Sequence, residues 1–307
     1  MELEKTEKIW MDGKFVDWDE AKVHVLTHAL HYGTAIFEGM RCYETDEGPA
    51  IFRLWDHLTR FYNSAKIHMM RIPYGIEELA GAIKETIKVN RMRECYIRPI
   101  AYYGYGEMGL NPKRNPINVA IAVWPWGSYL GEEGLRKGVR CKISSWIRID
   151  TRMLPPLAKA TANYLNSVLA KLEAIECGYD EAILLNSNGY IAEGSGENIF
   201  IVKDGILLTP PTSSGALYGY TRDSIKELAK DLSIPLLERE ILREELFTAD
   251  EAFLTGTAAE VTPIREVDGR EIGSGSIGPI TKRLQEKFFQ VVRGKDPRYR
   301  KWLELVR

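Results

Sequence analysis

Two stretches in the first half of the chain, Trp55 to Met70 and Ile76 to Asn90, repeat apolar residues at three- and four-residue spacing, which predicts two amphipathic helices. Ahead of them, Ile9-Trp10-Met11 and Lys14-Phe15-Val16 flank Asp12-Gly13, a pair favoured in tight hairpin turns. Val119-Ala120-Ile121-Ala122-Val123 is a short unbroken apolar run and reads as a buried strand. From Trp126 to Gly138 the glycines at 127, 131, 134 and 138 interrupt any regular period, so the interdomain connection is expected there.

The second half opens with strand-like Val139 to Trp146 and a helix from Ala162 to about Cys177, with Gly178 placed to end it. Asn188-Gly189 sits between Ala182-Ile183-Leu184-Leu185 and Tyr190-Ile191, and Asp204-Gly205 between Ile199-Phe200-Ile201-Val202 and Ile206-Leu207-Leu208. Both signal hairpins and hence antiparallel pairing. Helical periodicity returns at Thr221 to Leu232 and Gly278 to about Val292. Strands joined by hairpins, with separate helices, argue for α+β domains over a doubly wound sheet. The expected division is a smaller N-terminal domain over 1–126, a connecting loop over 127–138 and a larger C-terminal domain over 139–307.

Length supports that division, since 307 residues suffice for two cores. With 45% hydrophobic and 27% charged residues the chain has an ordinary globular profile, and a net charge of -2 offers no basic footprint for nucleic acid. No run is long and apolar enough for a membrane span, and Met1-Glu2-Leu3-Glu4-Lys5 lacks the apolar core of a secretory signal, so a cytoplasmic location is expected. Cys42, Cys95, Cys141 and Cys177 are widely spaced and form no zinc pattern. They are expected to be reduced, mostly buried packing residues. His28 and His31 could share a helical face, but without further ligands packing and hydrogen bonding explain them.

Gly104-Tyr105-Gly106-Glu107-Met108-Gly109 and Gly273-Ser274-Gly275-Ser276-Ile277-Gly278 both match G-x-G-x-x-G. A dinucleotide fingerprint must close a strand and open a helix within a βαβ unit. Leu110-Asn111-Pro112 blocks a helix after the first, and the second lies too near the chain end to be followed by the rest of such a fold. Both are expected to be loops.

The informative chemistry lies between Lys159 and Asn198. Lys159 follows Pro155-Pro156 and precedes Asn163-Tyr164, while Glu193 stands in the turn Glu193-Gly194-Ser195-Gly196-Glu197-Asn198. A lysine and a carboxylate so ordered suit pyridoxal 5'-phosphate, which needs an amine for its aldehyde and an anion beside its ring nitrogen. A phosphate calls for backbone N–H groups at a helix start, hydroxyls and a cation. Ser213-Ser214-Gly215-Ala216-Leu217-Tyr218-Gly219-Tyr220-Thr221 and Thr255-Gly256-Thr257-Ala258-Ala259 offer such groups. Alone, each of these features is ordinary: an arbitrary lysine is a surface residue, and Thr221 is a plain helix start.

Assembled, the motifs resemble the branched-chain amino-acid aminotransferases, a group of class IV, fold-type IV pyridoxal-phosphate enzymes. They are His31-Tyr32-Gly33-Thr34 with Phe37-Glu38-Gly39-Met40-Arg41, Tyr96-Ile97-Arg98-Pro99, Met108-Gly109-Leu110-Asn111-Pro112, Lys159-x-x-x-Asn163-Tyr164-Leu165, Glu193-Gly194-Ser195-Gly196-Glu197-Asn198 and Gly256-Thr257-Ala258-Ala259-Glu260. The resemblance runs essentially the full length. It departs at Ala162, where a glycine often precedes the Asn-Tyr pair.

The resemblance implies a two-domain fold of the D-amino-acid aminotransferase type, with the active site at the domain interface. It implies pyridoxal 5'-phosphate attached to Lys159, with Glu193 at the pyridine nitrogen and Tyr164 at the ring hydroxyl. The phosphate would be held by Arg60, Thr221, Tyr220 and Thr257, with Leu217 beside the cofactor. The substrate carboxylate would meet Tyr96 and the N–H groups of Thr257 and Ala258. Phe37, Trp126, Tyr129 and Tyr32 would wall the side-chain pocket, Gly39 would line it and Arg98 would offer a cation. Met108 and Leu110 would reach into a neighbour's pocket, so a homodimer or higher homo-oligomer, a hexamer included, is implied. The expected reaction exchanges an amino group between leucine, isoleucine or valine and 2-oxoglutarate, giving branched-chain 2-oxo acids and L-glutamate. A D-amino-acid aminotransferase or an aminodeoxychorismate lyase on the same fold is the alternative, and a phosphate-binding protein without chemistry is a third; Tyr96-x-Arg98 with Met108-Gly109-Leu110-Asn111-Pro112 argues against the former, Lys159 with Glu193 against the latter.

Overall fold

The computed structural model describes residues 3–127 and 129–307. They fall into two compact units: one runs through Trp126 and takes in Ala158–Ala162 and Val291–Arg307, the other comprises Gly127–Leu157 and Asn163–Gln290.

The first unit is built on an antiparallel sheet whose strands lie in the order Leu303–Leu305, Gly48–Phe52, Met40–Thr45, Cys95–Tyr103, Ile117–Trp124, Lys8–Met11 and Lys14–Asp17. The Asp12-Gly13 hairpin forms as expected, with both residues at positive φ, 49° and 88°. Helices Leu54–Ile67 and Ile76–Val89 bury Leu54, Leu58, Phe61, Leu79, Ile83 and Ile87 in a core shared with Met40, Ile97 and Ile121.

The central strand Cys95–Tyr103 has a divided partner. Met40–Cys42 pairs with Cys95–Ile97, and Ala35–Phe37 with Ile100–Tyr102. Between them, opposite Pro99, Glu38 and Gly39 leave the ladder. A proline has no N–H to lose there, and its carbonyl accepts the Glu38 N–H at 2.9 Å. The break is what turns Glu38 inward.

Against the expectation from sequence, residues 158–162 and 291–307 belong to the first unit. Ala158 and Ala160 are buried in its core. The Lys159 carbonyl accepts the Phe37 N–H at 2.9 Å, and its own N–H donates to Ser64 Oγ at 3.0 Å. Thr161 Oγ1 donates to the carbonyls of Gly33 and Ala35. The extra methyl of Ala162 rests on Gly33, where a Cβ would come within 3.0 Å of it. At the C-terminal end, Leu303–Leu305 adds a strand beside Gly48–Phe52, and Trp302 packs edge-on against Phe52. Backbone pairing, which sequence position does not reveal, decides both assignments.

The second unit holds a mixed sheet in the order Ile191–Gly194, Glu181–Leu185, Val139–Ile143, Glu260–Val267, Glu251–Gly256, Asn198–Lys203, Ile206–Thr209 and Leu236–Glu238. Both expected hairpins form. Three neighbouring pairs are parallel, a pairing the hairpin signals do not announce: Val139–Ile143 pairs with both Glu181–Leu185 and Glu260–Val267, and Ile206–Thr209 with Leu236–Glu238. Helix Tyr164–Glu176 lies in the connection between Val139–Ile143 and Glu181–Leu185.

The expected connecting loop contains a helix, Gly131–Lys137, despite its glycines; Ser128 lies outside the described residues. Glu132 and Glu133 in its first turn and Arg136 and Lys137 in its last complement the helix dipole. The strand expected to reach Trp146 stops at Ile143, because Ser144 Oγ takes the Trp146 N–H and Glu173 that of Ser145. Helix Pro279–Val292 follows the second glycine motif, but Glu251 already accepts the N–H groups of Ile280 and Thr281 at 3.0 and 2.7 Å, so this helix start is occupied by the protein's own carboxylate. The first motif lies between strands Cys95–Tyr103 and Ile117–Trp124 with no helix after it. Cys42 and Cys95, distant in sequence, are directly opposed across strands, Cys141 is buried and Cys177 is exposed. Among the described residues no helix is long and apolar enough to cross a membrane.

Candidate active site

In the first unit, Tyr96 and Arg98 alternate along one strand and so share a face of the sheet, with Trp124 directly opposite Tyr96. The Arg98 guanidinium lies 4.8 Å from the Phe37 ring centre, 5.2 Å from that of Tyr96 and 5.8 Å from that of Trp124. Its Nη2 donates to the Tyr96 hydroxyl at 3.2 Å, while its Nε is buried without a partner among the described residues. Trp126 packs on Tyr96 with ring centres 5.0 Å apart, and Arg41 Nη2 donates to the Trp126 carbonyl. Gly39 is required here: a Cβ would stand 2.0 Å from the Tyr96 hydroxyl.

Lys159 Nζ approaches the same Phe37 ring, at 5.0 Å. Burial, helped by the positive charge of Arg60, lowers its pKa from 10.5 to about 8. Behind it lies a fully buried carboxylate, Glu38, gripped by Arg60 through Nε at 2.6 Å and Nη2 at 2.8 Å and by His57 Nδ1 at 2.7 Å. Burial alone would raise the Glu38 pKa; Arg60 and His57 outweigh it and hold the group well below the usual carboxylate range. Burial also lowers the His57 pKa, so a neutral imidazole donates its Nδ1 proton to Glu38.

The second unit orients Glu193 by both oxygens. Arg148 Nη2 lies 2.9 Å from Oε1, and Oε2 accepts Asn198 Nδ2 at 3.1 Å and the Leu217 N–H at 3.0 Å. Arg148 Nε also donates to the Gly215 carbonyl, which ties this loop to the Glu193 turn. Gly219 allows the close approach, since a Cβ there would sit 2.0 Å from Asn198 Oδ1. It is the N-cap of helix Tyr220–Asp231, so the Tyr220 and Thr221 N–H groups lie in a first turn where the helix supplies no acceptor. Thr257 and Ala258 occupy the turn between strands Glu251–Gly256 and Glu260–Val267. Tyr164 opens helix Tyr164–Glu176 directly after Asn163, whose amide donates to the Pro155 carbonyl.

The family model for amino-transferase class IV matches residues 35–267. The chain belongs to the class IV aminotransferases. It is 48% identical over 307 residues to the branched-chain-amino-acid aminotransferase of Escherichia coli (strain K12), covering all of this chain and 99% of that one. A crystal structure of the Escherichia coli branched-chain amino acid aminotransferase superposes with a TM-score of 0.97 at 48% identity, covering 99% of this chain and 100% of that one. The branched-chain amino acid aminotransferase from Thermobaculum terrenum in its PLP-bound holo-form does so with a TM-score of 0.92 at 38% identity, over 98% of this chain and 99% of that one.

In this class IV aminotransferase the first unit brings together Phe37, Gly39, Arg60, Tyr96, Arg98, Trp126 and Lys159. Tyr32 lies against His28 at 4.6 Å and is 41% exposed, while Met108 and Leu110 point outward at 43% and 88%. The second unit joins Glu193 to Leu217. Tyr220 and Thr221 begin one helix, and Tyr129 packs near Lys171.

Sequence reasoning missed Arg148, for which a lone arginine in an irregular stretch gives no signal, and the clamp on Glu38. That clamp left a trace: His57 and Arg60 share the helical stripe of Leu54, Leu58 and Phe61, and polar residues on an apolar face need a buried partner.

Proposed function

We propose that this protein transfers amino groups between branched-chain L-amino acids and 2-oxoglutarate, using pyridoxal 5'-phosphate. The observation that carries this reading is that one ring, Phe37, is flanked by the Lys159 amine at 5.0 Å and the Arg98 guanidinium at 4.8 Å. An amine that handles the substrate's α-carbon thus shares an apolar wall with a cation suited to a distal carboxylate. Leucine needs the wall and glutamate needs the cation.

The residues fit the cofactor. A lysine brought to about pKa 8 is partly neutral near neutral pH and can attack an aldehyde. A buried carboxylate, fixed by an arginine, an amide and a backbone N–H, can face a ring nitrogen without moving. When bound, the cofactor supplies an aldehyde for the amino group and a ring that accepts electrons from the substrate's α-carbon. Lys159 holds the cofactor and then moves the proton at that carbon as base and acid. Glu193 keeps the ring nitrogen protonated and Tyr164 meets the ring hydroxyl. Arg60, held in place by Glu38, binds the phosphate with Thr257, Thr221 and the Tyr220 N–H, beside Leu217. Tyr96 with the Thr257 and Ala258 N–H groups takes the substrate carboxylate. Phe37, Gly39, Trp126, Tyr129 and Tyr32 line the side-chain pocket.

The working form is a homodimer or larger assembly in which Met108 and Leu110 cover a neighbour's pocket; an 88% exposed leucine in a glycine- and proline-rich loop supports it. Four free cysteines fit a cytoplasmic location. An amino-donor panel with 2-oxoglutarate, read by appearance of glutamate, tests the assignment: activity with L-leucine is expected, and activity with D-alanine instead would replace it.

A further inference from the structure

Three carboxylates are buried around one turn of the second unit: Glu181 at 0% exposure, Glu193 at 6% and Glu197 at 4%. Two have a cation each. Lys171 Nζ lies 2.6 Å from Glu181 Oε2, and Ser195 Oγ and the Ala182 N–H donate to Glu181 Oε1. Arg148 serves Glu193. Among the described residues Glu197 has no cation within ion-pair distance, and its carboxyl receives a single N–H, from Gly196 at 3.1 Å. An ionised group so placed would be a buried charge without compensation, a state that burial strongly disfavours.

The same side chain is wedged between two backbone turns. A Cβ on Gly194 would stand 2.9 Å from Glu197 Oε2, and one on Gly256 would stand 3.4 Å from its Cγ. The Gly194 N–H also donates to the Glu197 carbonyl at 2.6 Å. Glu197 therefore packs directly on the residue that follows Glu193 and on the residue that precedes Thr257.

We infer that Glu197 is a neutral carboxylic acid in the working protein, a positioning residue that seats the Glu193 turn and the Thr257 turn while adding no charge beside the Glu193–Arg148 pair. The surrounding charges agree. Burial, then the Glu181 carboxylate, raise the Glu197 pKa to about 8, with Glu193 adding to the rise and Lys171 and the Gly196 N–H opposing it. Cys141, the other titratable group facing it, is a neutral thiol whose pKa is raised by burial and then by the Glu181 carboxylate. The value of this neutrality for catalysis rests on Glu193 serving the cofactor's ring nitrogen; the proton on Glu197 does not.

Infrared spectroscopy of the holoenzyme tests the proton directly. The wild type at pH 7 should show the carbonyl band of a buried carboxylic acid, absent from Glu197→Gln and fading in the wild type as pH rises past about 8. Stability gives a second readout. Folding takes up a proton between the unfolded and folded pKa values, so wild-type Tm should fall relative to Glu197→Gln from about pH 5 to about pH 8 and then run parallel to it. If the variant does not fold, the wild-type band and its loss near pH 8 decide alone. A holoenzyme with no carboxylic-acid band at pH 7, or one that Glu197→Gln leaves in place, overturns the inference.

Discussion

Arg148 and Glu193 form a buried ion pair, Nη2 to Oε1 at 2.9 Å, with side chains only 6% and 7% exposed. The arginine fixes one carboxylate oxygen while Asn198 and the Leu217 N–H fix the other. Deleting one member of such a pair leaves a buried charge unmatched and costs about 3–5 kcal/mol. Arg148→Met should therefore lower Tm markedly and reduce kcat, whereas Glu193→Gln should collapse turnover while leaving the cofactor largely bound. The double variant should be less impaired in stability than the two single losses added together. Strict additivity in that cycle would show that the two groups do not act as a unit.

Lys159 is expected to carry the cofactor, and borohydride reduction followed by peptide mapping should place the pyridoxyl group on it alone. Its lowered pKa makes a kinetic prediction. An ordinary lysine stays protonated until near pH 10.5, but the apo-protein's capture of pyridoxal 5'-phosphate should speed up with pH and level off above about 8. Stopped-flow absorbance across that range measures it. A rate still climbing steeply at pH 10 would mean an exposed amine does the work.

Glu38 carries an acid-stability prediction. Its folded pKa is depressed, so it contributes stability above its unfolded value of 4.5, and that contribution is lost as pH falls through the folded value. Glu38→Gln should flatten the fall in Tm below about pH 5 and, by leaving Arg60 unmatched, cost about 3–5 kcal/mol at neutral pH. Cofactor affinity should fall with it, because Arg60 loses the carboxylate that orients its guanidinium. Unchanged cofactor titration would separate Arg60 from the phosphate.

Much of the fold is legible in the sequence alone. Hairpins at Asp12-Gly13, Asn188-Gly189 and Asp204-Gly205 are local, because the turn residues themselves select the geometry, and all three form. The long helices are local too, since their periodicity is set by what they bury. What stayed hidden depends on distant partners. Nothing near Ala158 to Ala162 says that it pairs with Ile36 and Phe37. Nothing near Arg148 says that Glu193, forty-five positions on, is its counter-charge. The parallel pairs are equally silent, because a crossover leaves no turn signature. In the candidate site the residue types were readable, but the clamps that orient them were not.

Leu110 is expected to be buried by assembly. At 88% exposure it sits beside Met108 at 43%. Leu110→Asp should weaken the dimer, shift the mass by light scattering toward the monomer and lower activity in step with it. A monomeric wild type with full activity would remove Met108 and Leu110 from the site.

Arg98 is expected to separate the two substrate classes. Its guanidinium is stacked among Phe37, Tyr96 and Trp124 and commits Nη2 to the Tyr96 hydroxyl, yet its buried Nε has no acceptor among the described residues. A buried donor left open costs free energy, and the distal carboxylate of glutamate or 2-oxoglutarate would satisfy it, whereas leucine has nothing to place there. Losing a charged hydrogen bond costs about 1.5–3 kcal/mol, so Arg98→Ala should lower kcat/KM for glutamate and 2-oxoglutarate about ten- to a hundredfold. Leucine and its 2-oxo acid, measured as separate half-reactions, should change far less, because for them the arginine only completes the aromatic wall. Arg98→Lys keeps the charge but loses the planar fork, so it should recover only part of the glutamate rate. Equal losses for both substrates in Arg98→Ala would mean that the guanidinium merely holds the three rings in place, and the dual-specificity assignment would fall.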